Sequence, residues 1–311
     1  MQTDENNPAA KFITNLITET FNRINHGEVN EAKDRRQLEH LLQEARKHQF
    51  AIAEAMALKV LAGLDIVVGQ QERAHKLLWE AFAIYEKRND IPGMMGILNN
   101  KAQYFHEVGE YEQALTIFNR GEKLSDATEP CNRPLGFLQI GKFKTLVDLA
   151  RYDDASLYFE DYVHPTTTEV MHKNPQVYAY LMVYGHQAQA AIALHHQQYS
   201  EARQNLNLAL EFANGIQLSF EKVDIYLRYL YLKEQAPTLE LIKQDPWQLI
   251  TALVRESPVI VRIAWVFLRH ARFLGAHGQA EIARTCAECA RDIFWQKDIP
   301  AYVAVAETVL D

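Results

Sequence analysis

The sequence is poor in chain breakers: its 311 residues hold 13 glycines and 10 prolines. That scarcity excludes long irregular loops and a fold built on many tight β-turns. Cysteine is scarcer still. Cys131, Cys286 and Cys289 form an odd, sparse set, which excludes a disulfide framework and points to the reducing cytoplasm. No apolar run is long enough to span a bilayer, since even the tract from Pro258 to Leu268 is broken by Arg262. The opening MQTDENNPAAKF is polar and acidic, unlike a secretory signal. Positive charge is in deficit, with a formal net charge of −8, so nucleic acid is excluded as a general partner and no membrane role is expected. The metalloprotease, P-loop, nucleophile-elbow and dinucleotide motifs are all missing. Paired carboxylates such as Asp153-Asp154 and Glu160-Asp161 are adjacent on helices and point in different directions. The chain is therefore expected to be non-catalytic, with no cofactor and no metal.

What is present is a recurring small residue. Ala74 and Ala81, Ala114 and Gly121, Ala202 and Ala209, and Ala283 and Ala290 are pairs seven residues apart, and Ala155 fits the first position with Tyr162 at the second. The leading members stand at 74, 114, 155, 202 and 283, giving steps of 40, 41, 47 and 81. Self-similarity at this period marks a stacked repeat array in which small residues let neighbouring helices approach closely.

Helical periodicity runs through the chain. Amphipathic helices are expected over 8–25, 31–47, 51–68, 72–87, 94–108, 111–124, 135–149 and 153–162, followed by a polar connector over 164–175 that accounts for the longer step. The pattern resumes over 175–196 and 200–214, weakens from 217 to 256 around Pro237 and Asp245-Pro246, and returns over 258–274 and 279–295. Pro300 starts a last helix running to Asp311. No strand-like alternation with hairpin turns occurs.

Leu98, Ala102 and Phe105, followed by Ala114 and Phe118 with Gly109 and Tyr111 at the turn, resemble a tetratricopeptide repeat. Phe267, Ala271 and Leu274, followed by Gly278, Ala283 and Ala290, resemble it again. Lys101 and His270 depart from the pattern at the position the family fills with leucine. The period near 40 exceeds the family's usual ~34 residues, and resembles the long-helix type found in bacterial regulatory and signalling proteins. The resemblance implies an all-α, right-handed superhelical array of antiparallel helix pairs, an α-solenoid of about seven units. Its divisions would be a disordered tail over 1–7, an N-terminal helical pair over 8–49, the array over 50–299 with a degenerate stretch at 217–256, and a capping helix over 300–311.

Such an array implies a protein–protein interaction module that holds a peptide segment of a partner in its concave groove. The alternative is a peptide- or small-ligand-sensing input domain of a bacterial signalling protein whose output domain is absent from this chain. By the repeat register, Asn99, Gln103, His106 and Arg272 face the groove, and Lys59, Asn99 and Gln103 resemble part of the clamp by which one subclass holds a terminal carboxylate. Arg262, Arg269 and Arg272 make a stripe on one side of a helix, suited to a partner with an acidic segment or to salt bridges with neighbouring repeats. Cys286 and Cys289 form a CxxC inside a helix, beside the packing alanines, and read as structural thiols.

Overall fold

A computed structural model describes residues 7–25, 30–68, 70–125, 132–216, 219–239, 242–256 and 260–310. The expected tail lies outside these residues except for Asn7, as do His26-Gly27, Gly69, Cys131 and Pro258. Among the described residues every regular element is helical. The chain divides into two compact units, residues 1–101 and 102–311.

One turn recurs between the helices. The backbone N–H of Phe50 bonds to the carbonyl of Ala45, five residues back, and the same bond joins Gln70 to Asp65, Asp90 to Tyr85 and Glu110 to Phe105. It returns at Arg151 to Leu146, Gln198 to Ala193, Gln279 to Leu274 and Ile299 to Phe294. The residue before most of these donors is left-handed, with φ of 58° at Gln49, 54° at Asn89, 57° at Ala150, 59° at Gln197 and 53° at Asp298. Gly109 and Gly278 hold that place at 88° and 78°. Each of these seven residues also bonds three back, as Gln49 does to Arg46, which completes a Schellman motif. The first four closures fall 20 residues apart, at 50, 70, 90 and 110, because helices of nearly equal length alternate with the same short turn. Two such steps make the 40-residue period.

The first unit contains α1 (Pro8–Asn25), α2 (Glu31–Lys47), α3 (Ala51–Val67), α4 (Gln71–Lys87) and the start of α5 (Ile91–Val108). Helix α3 packs against α1, α2 and α4. It is apolar nearly all round, burying Ala53, Ala57, Leu58, Leu61, Ala62 and Leu64, as a helix covered on several sides must be. Where α2, α3 and α4 meet, the fully buried Asp65 accepts Arg35 Nη1 at 2.6 Å and pairs with Arg73 Nε at 3.2 Å.

The second unit continues with the end of α5, α6 (Tyr111–Ser125), α7 (Asn132–Asp148), α8 (Tyr152–Tyr158) and α9 (His164–Lys173). There follow α10 (Pro175–His195), α11 (Tyr199–Gly215), α12 (Ser219–Gln235), α13 (Pro246–Glu256), α14 (Ile260–Ala276), α15 (Ala280–Gln296) and α16 (Pro300–Leu310). Helix α10 packs between α7 and α12, and α12 packs on α14, so these four form a continuous layer, with α11 packed on α10 and α12 and α15 packed on α14. The recurring small residues are buried contact points. Gly121 illustrates the demand, since an added Cβ would lie 2.7 Å from Leu138 of α7. Tyr162, which breaks the pattern, is exposed on a π-turn.

That π-turn overturns one expectation. Residues 164–173 are not a connector but helix α9, reached from α8 through π-helical Phe159–Val163. Pro165 has no N–H and would crowd the carbonyl four residues back in a regular helix. The π-turn loosens the ladder there, with the His164 N–H reaching Phe159. Burial of Thr167 and Val170 then supplies packing that a run of threonines does not advertise. Asn174 accepts the Val177 N–H at 3.1 Å and caps α10, with Pro175 in its first turn.

Candidate functional site

The candidate residues fall into two places. In the first unit, Lys59 of α3 and Asn99 of α5 both stand close to Gly96 of α5. Lys59 sits 5.7 Å from the Phe21 ring centroid, and a Cβ added to Gly96 would lie 3.4 Å from its Nζ. Gly63, one turn along α3 from Lys59, would carry a Cβ into open space. Asn99 stands one turn along α5 from Gly96, and its Oδ1 is buried without a hydrogen-bond donor.

Gln103, His106, Arg262, Arg269 and Arg272 belong to the second unit. Gln103 Nε2 would lie 2.7 Å from a Cβ at Gly141 of α7, so glycine there leaves room for the amide. His106 is buried, with Nδ1 3.0 Å from Thr145 Oγ1 and Nε2 3.3 Å from Asp148 Oδ2. Burial, then Lys144 and Arg269, holds its imidazole well below the usual range, so it is neutral.

The arginine stripe is engaged within the protein. Arg269 Nη2 donates to Asp224 Oδ1 at 2.7 Å and its Nε lies 3.9 Å from Asp148. Arg272 Nη2 donates to the Val108 carbonyl at 3.1 Å, which ties α14 to the α5–α6 turn, and its guanidinium packs over Gly109. Arg262 hydrogen-bonds the hydroxyl of Tyr180. Asp224 is the hub of this layer. It is 2% exposed and also accepts Arg228 Nε at 3.2 Å and pairs with His270 Nε2 at 2.8 Å. Burial opposes its charge, yet Arg228, His270 and Arg269 outweigh it and hold the carboxyl well below the ordinary carboxylate range. An acidic partner segment would have to displace these pairs.

A second cluster surrounds Tyr184 of α10. Its hydroxyl donates to Glu221 Oε1 of α12 and lies 2.8 Å from the Tyr180 hydroxyl. Lys144 Nζ of α7 rests over its ring, 4.2 Å from the centroid. Gln187 Nε2 donates to the Glu221 backbone carbonyl at 3.1 Å. Burial pushes the Glu221 carboxyl up to about 7, against the pull of Arg262 and the Tyr184 hydroxyl. Burial, then Arg269, pushes Lys144 down to about 8, against Asp224, Asp148 and Glu221.

Sequence reading missed Lys144, Asp148, Tyr184, Glu221, Asp224 and Arg228. A signal existed: Glu221, Asp224 and Arg228 stand three and four residues apart on a helix whose other positions are mostly buried and apolar. The CxxC thiols lie elsewhere. Burial, then Cys289, pushes Cys286 up to about 12, the opposite of an activated nucleophile. Among the described residues no cluster of histidine, cysteine and carboxylate side chains could hold a metal ion. No helix among them is long and apolar enough to cross a membrane.

No known protein family matches the chain. No curated protein matches it. Solved structures similar to it include yeast Tom70, at 14% identity over 99% of this chain and 65% of that one, with a TM-score of 0.48. This chain thus spans less than two thirds of that Tom70 chain. A tetratricopeptide repeat protein from Parabacteroides merdae is 14% identical over 95% of this chain and 98% of that one, with a TM-score of 0.39. A circular tandem repeat protein with novel repeat topology is 11% identical over 90% and 75%, with a TM-score of 0.23. Likeness at this level leaves the fold resting on the chain's own helices and turns.

Proposed function

We propose that the chain is a non-catalytic protein-interaction module that holds an extended segment of a partner against the strip formed by Lys59, Gly63, Gly96 and Asn99. The observation that carries this reading is the buried Asn99 Oδ1, which has no donor and stands one turn from Gly96, with open space around a Cβ at Gly63 of α3. A buried amide oxygen left unpaired costs about 1–3 kcal/mol, which a partner's backbone N–H would recover. The primary amide would present both a donor and an acceptor to a peptide bond. Lys59 supplies the positive charge for an acidic residue or a chain terminus. Catalysis is not proposed, because the buried histidines His106 and His270 serve Thr145, Asp148 and Asp224 rather than a nucleophile.

Selection of random peptides displayed against the full chain tests the reading. Gly63→Leu would place a bulky side chain at a position where a Cβ meets nothing within 4 Å, and Asn99→Ala would remove the amide. Enriched peptides are expected to bind both variants at least tenfold more weakly than the wild type. Equal binding by Gly63→Leu would place the peptide elsewhere and defeat the assignment. The ligand-sensing alternative draws support from a separate observation, the unpaired polar atoms in the layer of the second unit.

A further inference from the structure

Two oppositely charged side chains in the second unit face each other across Tyr184 without meeting. Glu221 is 1% exposed; one carboxylate oxygen accepts the Tyr184 hydroxyl, and the other, Oε2, is buried with no donor. Lys144 acts electrostatically on Glu221, yet among the described residues it makes no ion pair or hydrogen bond and rests on the Tyr184 ring instead. The ring holds the ammonium on its face and the carboxylate at its hydroxyl edge, which keeps the two apart. Neighbouring charges act on both groups, Arg262 on Glu221 and Asp224 and Asp148 on Lys144, but none of them hydrogen-bonds Glu221 Oε2 or Lys144. Asp224 is saturated by Arg228, Arg269 and His270, and Asp148 is shared by His106 and Arg269. Lys144, Tyr180 and Tyr184 are half-buried, so solvent reaches this place, whereas Glu221 lies beneath them.

A buried carboxylate oxygen lacking a donor and an ammonium lacking an acceptor are each costly, and one molecule bearing both complementary charges would satisfy them together. We propose that this place binds a small zwitterion of the α-amino acid class, its ammonium donating to Glu221 Oε2 and its carboxylate accepting from Lys144 Nζ. Arg269, beside Lys144, adds positive potential on the carboxylate side, while Arg262 lies toward Tyr180 and Glu221. The rings of Tyr180 and Tyr184, with Phe137 against Tyr180 at 5.6 Å, would flank the bound molecule. The inference gives a ligand class to the sensing alternative and rests on that alternative; peptide binding on the first unit can fail while it holds.

The test is calorimetric titration of the full chain with the proteinogenic amino acids one at a time, each paired with its N-acetyl derivative and its methyl ester. At least one amino acid is expected to saturate the protein, and both derivatives should bind at least tenfold more weakly, because each lacks one of the two charges. Affinity should be greatest between about pH 7 and 8, where Glu221 is ionised and Lys144 still protonated. Lys144→Met, a half-buried change that spares Glu221, should abolish binding while the circular-dichroism spectrum stays that of the wild type; Glu221→Gln is the second variant. A derivative that binds as well as its parent amino acid would overturn the proposal. So would the absence of saturation by any amino acid, which would mean that ordered water alone bridges Lys144 and Glu221.

Discussion

Replacing Asp224 with asparagine removes one negative charge from the centre of the second unit and leaves its shape nearly unchanged. The side chain has three partners: Arg228 Nε at 3.2 Å, Arg269 Nη2 at 2.7 Å and His270 Nε2 at 2.8 Å. Arg228 and Arg269 are 7% and 11% exposed in their side chains, so water cannot replace the lost charge at either. An asparagine oxygen would still accept one hydrogen bond, but its amide nitrogen would face a guanidinium. Breaking a buried pair by removing one partner costs about 3–5 kcal/mol, and two cations share this anion, so the upper half of that range is expected. For a unit of this size each kcal/mol lowers Tm by roughly 2–4 °C, which predicts a fall on the order of 10–20 °C. Urea unfolding followed by circular dichroism measures it directly. The acid limb gives an independent check. Asp224 is held below its unfolded value near 3.9, so its stabilisation is complete above that pH and is lost as pH falls through the folded value. Asp224→Asn should therefore flatten the acid limb as well as lower the neutral plateau. A loss below about 1 kcal/mol at pH 7, within the range of an exposed pair, would refute the hub.

Three further outcomes follow from the turns and the packing. Ala150→Gly removes a left-handed alanine at φ 57° on the surface and should stabilise by about 1 kcal/mol in the same urea assay; no gain would mean the turn relaxes. Gly109→Ala does the reverse at φ 88° and also drives a methyl into the Arg272 guanidinium, so a loss of about 2 kcal/mol or more is expected; a neutral change would deny that Arg272 closes on this turn. Ala114→Leu overpacks a fully buried helix contact and should cost about 1–3 kcal/mol, with an unchanged melt contradicting the small-residue register.

The helices and their register were legible because close packing needs a small residue wherever it occurs, as Ala74, Ala114, Ala202 and Gly121 show. The turn that sets the period was not. Gln49, Ala150, Gln197 and Asp298 adopt the left-handed conformation without the glycine that normally announces it, held by the two Schellman hydrogen bonds. Helix α9 was hidden by His164, Pro165 and three threonines, whose weak local preference is overridden by the burial of Thr167 and Val170. The arginine stripe could be read from spacing along α14, but its purpose could not. Arg269 pairs with an aspartate 45 residues earlier and Arg272 with a carbonyl 164 residues earlier, distances that helical periodicity does not reach.

The most direct measurement of the central claim is photo-crosslinking from the strip itself. A benzophenone side chain at Gly63 would start on α3 where a Cβ meets nothing within 4 Å, and one at the half-buried Arg203 on α11 of the second unit serves as the control. With a peptide selected on the wild-type chain, an adduct is expected at residue 63 that unlabelled peptide competes away, and no such adduct at residue 203. A competed adduct at 203 with none at 63 would contradict that claim.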